Sequence, residues 1–254
     1  MRITVLTLFP EMFSGILENS IIKRAISKEI VTFNIVNIRD YTKDKYHRVD
    51  SAPIGGGAGL IMKLQPIVDA LNDQKACRSR IILTSPRGKP YNEDKAKELS
   101  KLEDLVIICG HYEGIDARIE NYIDEEISVG DYILTGGEIP AMAIIDSVVR
   151  LLKGAINNES IIDESFENDL LEYPQYTEPK NFDGHIVPDI LYSGNHEAIK
   201  KYNYKKALEN TKKYRPDLFE KLNLSEKDLD LLNQDETNES WYLDAIKKGE
   251  KFTK

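Results

Sequence analysis

The run DLVIICGHYEGID, residues 104–116, decides the fold. Its first half, 104–110, is a short apolar segment that ends on Gly110, the pattern of a fully buried strand, and its second half turns at Gly110 and Gly114. Working outward, RITVLTLF at 2–9, VTFNIVNI at 31–38 and RIILT at 80–84 read as further strands, with a short one expected near 132–135. Helical spacing lies between them: after Pro10-Glu11, at 64–73, at 92–102 and at 138–152. In the last, Ala141, Ile144, Ile145, Val148 and Leu152 share one face. Strands alternating with helices predict an α/β domain built on a mainly parallel sheet.

Composition bounds the rest. The chain has 254 residues, 41% hydrophobic and 30% charged, with a formal charge of −9. That is an ordinary globular composition of one large or two modest domains, and it excludes collagen and wholesale disorder. The apolar stretch after Met1 is too short for a signal segment, so the chain is expected in the cytosol with no membrane span. Cys77 and Cys109 lie far apart in no metal-binding spacing and read as buried thiols. No zinc or other metal site is expected.

Charge is segregated along the chain. Residues 159–189 hold nine acids and Lys180 as their one strong base, a pattern that reads by itself as a solvated linker. Residues 195–254 are rich in Lys, Glu and Leu and read as several short helices. Between Glu197 and Pro216 seven bases face two acids, a basic patch suited to phosphate on an otherwise acidic chain.

Three glycine clusters mark where chemistry could sit: Gly55, Gly56, Gly57 and Gly59; Gly110 and Gly114; Gly130, Gly136 and Gly137. Glycines after strands signal sharp turns or close approach to a ligand, and open α/β sheets bind ligands beyond the carboxyl ends of their strands. Neither a phosphate-binding P-loop nor the usual dinucleotide fingerprint is present.

The motifs ICGHYEGID (108–116) and SVGDYILTGGEIPA (128–141), with LFPEMF (8–13), GGGAG (55–59), IDSVVR (145–150), LLEYPQYT (170–177) and SGNH (193–196), resemble the bacterial tRNA (guanine-N1)-methyltransferases of the TrmD type. These belong to the SPOUT class of S-adenosylmethionine (SAM) enzymes. The resemblance implies a SPOUT parallel sheet with a deep trefoil knot at the SAM site in residues 1–158. It further implies a linker at 159–190 carrying the catalytic acid, a helical tRNA-binding domain at 191–254, and a homodimer with its active site at the subunit interface. The reaction implied is methylation of N1 of the guanine at tRNA position 37, immediately 3′ of the anticodon. Mg²⁺ assistance is a further family expectation.

Carried over residue by residue, the resemblance gives the SAM site to Ser85, Pro86, Gly110, Tyr112, Glu113, Val129, Gly130, Asp131, Tyr132, Ile133, Leu134, Gly136, Gly137 and Pro140. Methylating N1 requires a base for its proton and a donor for the charge that gathers on O6. The resemblance gives the second role to Arg150 and the first to the acid before Ser165-Phe166. Here that acid is Glu164, where the family has Asp; Asp163 beside it is the alternative base. Without the family, Arg150 pairs with Asp146 four residues earlier on a helix surface, and Glu164 is one acid among nine.

Substrate contacts implied are Gly55, Gly56, Gly57, Gly59, Ser165, Ser193, His196, Lys201, Lys205 and Lys212. The three lysines fall within a roughly 40° arc at about 100° per residue, with Tyr202, Tyr204 and Tyr214 interleaved for stacking. The chain departs from the family pattern at Ile54 (usually Tyr), Glu178 (usually Arg) and in the Lys/Tyr-rich helix that is usually Arg/Trp-rich. Those departures leave open a SPOUT methyltransferase for another RNA site, or an RNA- or SAM-binding protein without turnover.

Overall fold

A computed structural model describes residues 1–75, 79–156, 165–166, 169–235 and 238–249. The chain divides into two compact units, 1–158 and 159–254.

The first unit is built on five parallel strands: β1 (Arg2–Thr7), β2 (Thr32–Asn37), β5 (Arg80–Pro90), β6 (Asp104–Cys109) and β7 (Glu125–Ser128), in the order β2-β1-β6-β5-β7. A two-residue pair, β3 (Asp50–Ser51) and β4 (Ile61–Met62), stands apart from it. Every residue of the central strand β6 is buried. Its side chains alternate between two apolar clusters: Leu105, Ile107 and Cys109 enter one, Val106 and Ile108 the other. Both faces of a parallel sheet need cover. Helices α2 (Ser20–Ser27) and α5 (Glu138–Arg150) cover the first face through Ile22, Ala25, Ile144, Ile145 and Val148, and α3 (Leu64–Gln74) covers the second through Ile67, Ala70 and Leu71. Each isoleucine, leucine or valine among them contributes about 1.5–3 kcal/mol when fully buried.

Several elements differ from the sequence expectation. No strand forms at 132–135; those residues are loop, and the fifth strand is Glu125–Ser128 instead. Its two acids resemble loop sequence, but Glu125 pairs with Arg80 (3.0 Å) and Lys95 (3.1 Å), and Glu126 with Arg87 (2.7 Å). Strand β5 resumes after a register shift between Thr84 and Lys89 and so runs well past 84. The helix expected after Pro10 breaks into a 3-10 turn at Pro10–Phe13, α1 (Ser14–Leu17) and α2, because Ser20 takes φ +52°. Helix α4 (Glu93–Leu99) is shorter than 92–102; Asn92 caps it by accepting Lys95 N–H at 3.0 Å.

In the second unit, α6 (His196–Tyr214) is the longest element, followed by α7 (Pro216–Phe219), α8 (Glu226–Asn233) and α9 (Ser240–Gly249). Its core gathers Ile190, Ala198, Tyr202, Tyr242 and Ala245. The acid-rich stretch read as a tether contributes to this packing. Residues Asn181–Phe182 (β8) and His185–Ile186 (β9) pair as a hairpin across Asp183-Gly184, both at positive φ as a two-residue turn of that hand requires. Val187 and Ile190 are buried, Leu171 N–H donates to Thr211 Oγ1 at 2.8 Å, and Asn210 Nδ2 donates to the Glu172 carbonyl at 3.0 Å. These two bonds tie the Leu171 amide and the Glu172 carbonyl to α6.

Candidate functional site: a cleft at the carboxyl ends of three strands

A cleft of about 670 Å³, within the about 300–1,000 Å³ usual for small-molecule sites, opens at the carboxyl ends of β6 and β7 and where β5 parts from β6 after Thr84. Three segments wall it. Ser85, Pro86 and Arg87 come from the register-shifted part of β5; Gly110, His111, Tyr112 and Glu113 from the loop after β6; Val129, Gly130 and Tyr132 through Gly137 from the third, the loop after β7. Leu83, Ile115, Ile119, Ile127 and Pro140 supply apolar surface.

The third loop reaches the cleft by passing close to the sheet. A Cβ on Gly137 would lie 2.2 Å from Thr84 Oγ1 and 2.8 Å from Cys109 Cα, so only glycine fits between the ends of β5 and β6. Gly137 N–H donates to the Gly110 carbonyl at 2.7 Å, and the buried Thr84 hydroxyl points to the carbonyls of Ile108 (3.2 Å) and Gly137 (3.4 Å). The Gly-rich loop at 55–59 is stapled to the same wall. Glu113 N–H donates to the Leu60 carbonyl (3.0 Å) and Met62 N–H to that of Gly114 (2.9 Å), while the Glu113 side chain lies where a Cβ on Gly59 would be.

Electrostatics at this edge are uneven. Burial first, and then the charge of Glu138, push the Cys109 thiol up, so it is an inert neutral group. Arg118 holds Asp116 down at about 2 by hydrogen bonds.

Of the residues expected at the SAM site, thirteen line this one cleft; Asp131 is exposed and does not. His111, inside the expected 110–113 segment, lines it too; Thr84, Arg87 and Ile115 also line it and escaped the sequence reading. Their signal was position, at or just beyond the ends of strands. Arg150 is half-buried at the far end of α5, about 18 Å along the helix from Glu138 at about 1.5 Å per residue, and does not line the cleft. Glu164 and Asp163 lie outside the described residues, as does Cys77.

Among the expected substrate contacts, Gly55, Gly56, Gly57 and Gly59 form an exposed loop at positive φ, and His196, Lys201 and Lys212 reach solvent on α6. Lys201 Nζ sits 4.4 Å from the Trp241 ring centroid. Lys205 does not belong with them. It is 1% exposed, its ammonium donates to the Gln234 carbonyl at the end of α8, and Glu209 lies 3.6 Å away. A cation buried on a helix C-terminus is a structural group, favoured there by the helix dipole. Ser193 is likewise buried, its hydroxyl accepting Asn195 N–H at 3.2 Å to start α6. Ser165 Oγ accepts Glu172 N–H at 3.0 Å. Tyr202 is buried in the helical core, and the Tyr204 hydroxyl donates to Asp228 at 3.1 Å, which leaves Tyr214 as the most exposed of the three rings.

Comparison with known proteins places the chain in a family. The family model described as tRNA (Guanine-1)-methyltransferase TrmD matches residues 1–221. A tRNA (guanine-N(1)-)-methyltransferase of Clostridium tetani is 54% identical over 237 residues, 92% of this chain and 99% of that protein. One from Clostridium botulinum is 56% identical over 91% of this chain and 97% of its own length. A third, from Clostridium beijerinckii, is 53% identical over 91% and 98%. Matched by the family model over residues 1–221 and by relatives more than half identical over about nine-tenths of its length, the chain belongs to the tRNA (guanine-1)-methyltransferase TrmD family.

Proposed function

We propose that this chain transfers the methyl group of SAM to N1 of the guanine at tRNA position 37, as a cytoplasmic homodimer whose first unit is a knotted SPOUT domain. The observation that carries the reading is the convergence of two glycine-bearing loops, 110–114 and 129–137, with Ser85, Pro86 and Arg87 on one cleft. SAM needs an apolar slot for adenine, backbone donors and acceptors for its base edge and carboxylates for its ribose. The residues present fit those needs: Leu83, Ile115, Ile127 and Pro140 are apolar, the loops offer closely approached backbone, and Glu113 offers a carboxylate. The third loop wedged at Gly137 between two strand ends supports the knot.

Bound there, SAM supplies a methyl group on its sulfonium. The chain's own residues prepare the acceptor. The Glu164 carboxylate takes the proton from guanine N1, on a side chain one methylene longer than the family's aspartate, with Asp163 as the second choice. The Arg150 guanidinium donates to O6, where negative charge gathers as N1 attacks. Arg150 lies a helix length from its own chain's cleft, which favours an active site completed by the Arg150 of a second copy. His196, Lys201 and Lys212 are the groups on the second unit that meet phosphate; Lys205 is set aside. Among the described residues no group of three His, Cys, Asp or Glu side chains could hold a metal ion. No described helix is long and apolar enough to cross a membrane.

The test is incubation of the purified chain with labelled SAM and tRNA transcripts carrying G or A just 3′ of the anticodon, followed by nucleoside analysis. 1-Methylguanosine only from the G transcript is the expected result. Methylation elsewhere would favour a different RNA site, and SAM binding without methylation the non-catalytic reading.

A further inference from the structure

Beneath the cleft lies a buried acid that the mechanism above does not use. Glu138, the first residue of α5, is 2% exposed. Its Oε1 accepts the Thr7 hydroxyl at 2.8 Å, and Thr7 Oγ1 in turn accepts Phe9 N–H at 2.9 Å, so the carboxylate is tied to the end of β1. The other oxygen, Oε2, lies 3.9 Å from Nδ1 of His111. That nitrogen is buried and has no hydrogen-bond partner among the described residues.

The space between the two is kept clear by Gly136, where a Cβ would stand 2.4 Å from Glu138 Oε2 and 2.5 Å from His111 Nδ1. The imidazole is guided by its other contacts. Its ring lies tilted against Phe9 at 4.8 Å and edge-on to Tyr112 at 5.0 Å, and its backbone N–H points to Met62 Sδ at 3.2 Å. Both His111 and Gly136 line the cleft, whereas Glu138 stands behind it. A buried donor and a buried carboxylate one short step beyond hydrogen-bond reach are unstable neighbours unless something closes the gap.

We infer that His111 and Glu138 form a latch for the cofactor cleft: filling the cleft turns the His111 ring about 1 Å toward Glu138, and Nδ1–H then donates to Glu138 Oε2. This rests on the reading of the cleft as the SAM site. Either the Nδ1–H tautomer or the imidazolium supplies the proton. Both are positioning residues, since neither touches the methyl group or the guanine. A contact made only in the filled state strengthens binding and leaves the empty fold as it was.

Calorimetric titration of SAM into the full-length protein tests the latch. His111→Ala should weaken SAM about tenfold, and His111→Gln, whose amide can donate to the same carboxylate, should recover to within about threefold. In a Glu138→Gln background His111→Ala should add less than about twofold, because the two side chains act as one unit. Melting temperatures of the SAM-free variants should stay close to wild type. Ring nitrogen shifts of His111 read the same event without substitution: SAM should move Nδ1 of the wild-type protein to a protonated, hydrogen-bonded value. An unchanged Nδ1 signal, or a His111→Ala variant that binds SAM as tightly as wild type, overturns the latch alone. A wild-type chain that does not bind SAM overturns the cofactor reading and the latch together.

Discussion

Each unit buries a charged side chain, and the two do it for different ends. Glu138 sits behind the cleft of the first unit, held by Thr7 and a helix N-terminus, with one oxygen aimed at a cleft residue. Lys205 is sealed inside the second unit, its ammonium on the last carbonyls of α8. The surroundings explain the contrast. Two apolar clusters on either face of a buried sheet hold the first unit's loops at tolerances that small ligands need. The second unit has a smaller core of Ile, Ala and Tyr, so a lysine stem is part of what holds its helices together. A buried charge near a ligand cleft tunes a site, and one far from it pins a fold.

The sharpest way to break this division is to remove one reacting group from each unit. Arg150→Ala and Glu164→Gln should each lower single-turnover methylation at least about 100-fold while SAM affinity stays near wild type, and Asp163→Asn should be mild. Reversal of the two acids' effects would move the base to Asp163.

Next in size is overpacking at the strand ends. Gly137→Ala drives a methyl into Thr84 and Cys109 and should cost about 3 kcal/mol, a fall of roughly 6–12 °C in the melting of the first unit. A smaller shift would mean that the third loop can lift off the sheet.

On the second unit, Lys205→Met should lower stability by about 1–2 kcal/mol through the lost bond to Gln234 and leave the salt slope of tRNA binding alone. Lys201→Ala and Lys212→Ala should each flatten that slope by about one counterion. Equal slopes in all three variants would return Lys205 to the RNA-binding set.

The smallest effect expected is with pH. Burial against α5 pushes Tyr91 up to about 12 from an ordinary 10.0, with its hydroxyl 2.6 Å from Ser147 Oγ. A raised folded value means that the stabilisation is complete below about pH 10 and is lost as pH rises toward 12. Guanidinium unfolding across that window should show a decline that Tyr91→Phe removes.

Much of the first unit was legible because its signals are local. Strand runs such as LVIIC and the periodic face of 138–152 need only residues within a turn or two of each other. Glu125 and Glu126 hid the fifth strand, because their partners Arg80, Lys95 and Arg87 are distant in sequence. The cleft was legible through its glycines, whereas Thr84 and Arg87 were not, since nothing in their own neighbourhoods marks them as cleft walls. On α6 the arc of Lys201, Lys205 and Lys212 was read correctly as one helix face, yet α8 ends over the middle of it.

By itself the sequence determined the strand and helix periods, the glycine turns at strand ends and, through its motifs, the family. Only the tertiary structure decided which charges stay available. It buried Lys205, stood Glu138 behind the cleft and left Arg150 a helix length from it. The physical reason is that a helical period fixes which residues share a face, while burial of that face depends on partners brought in from far along the chain.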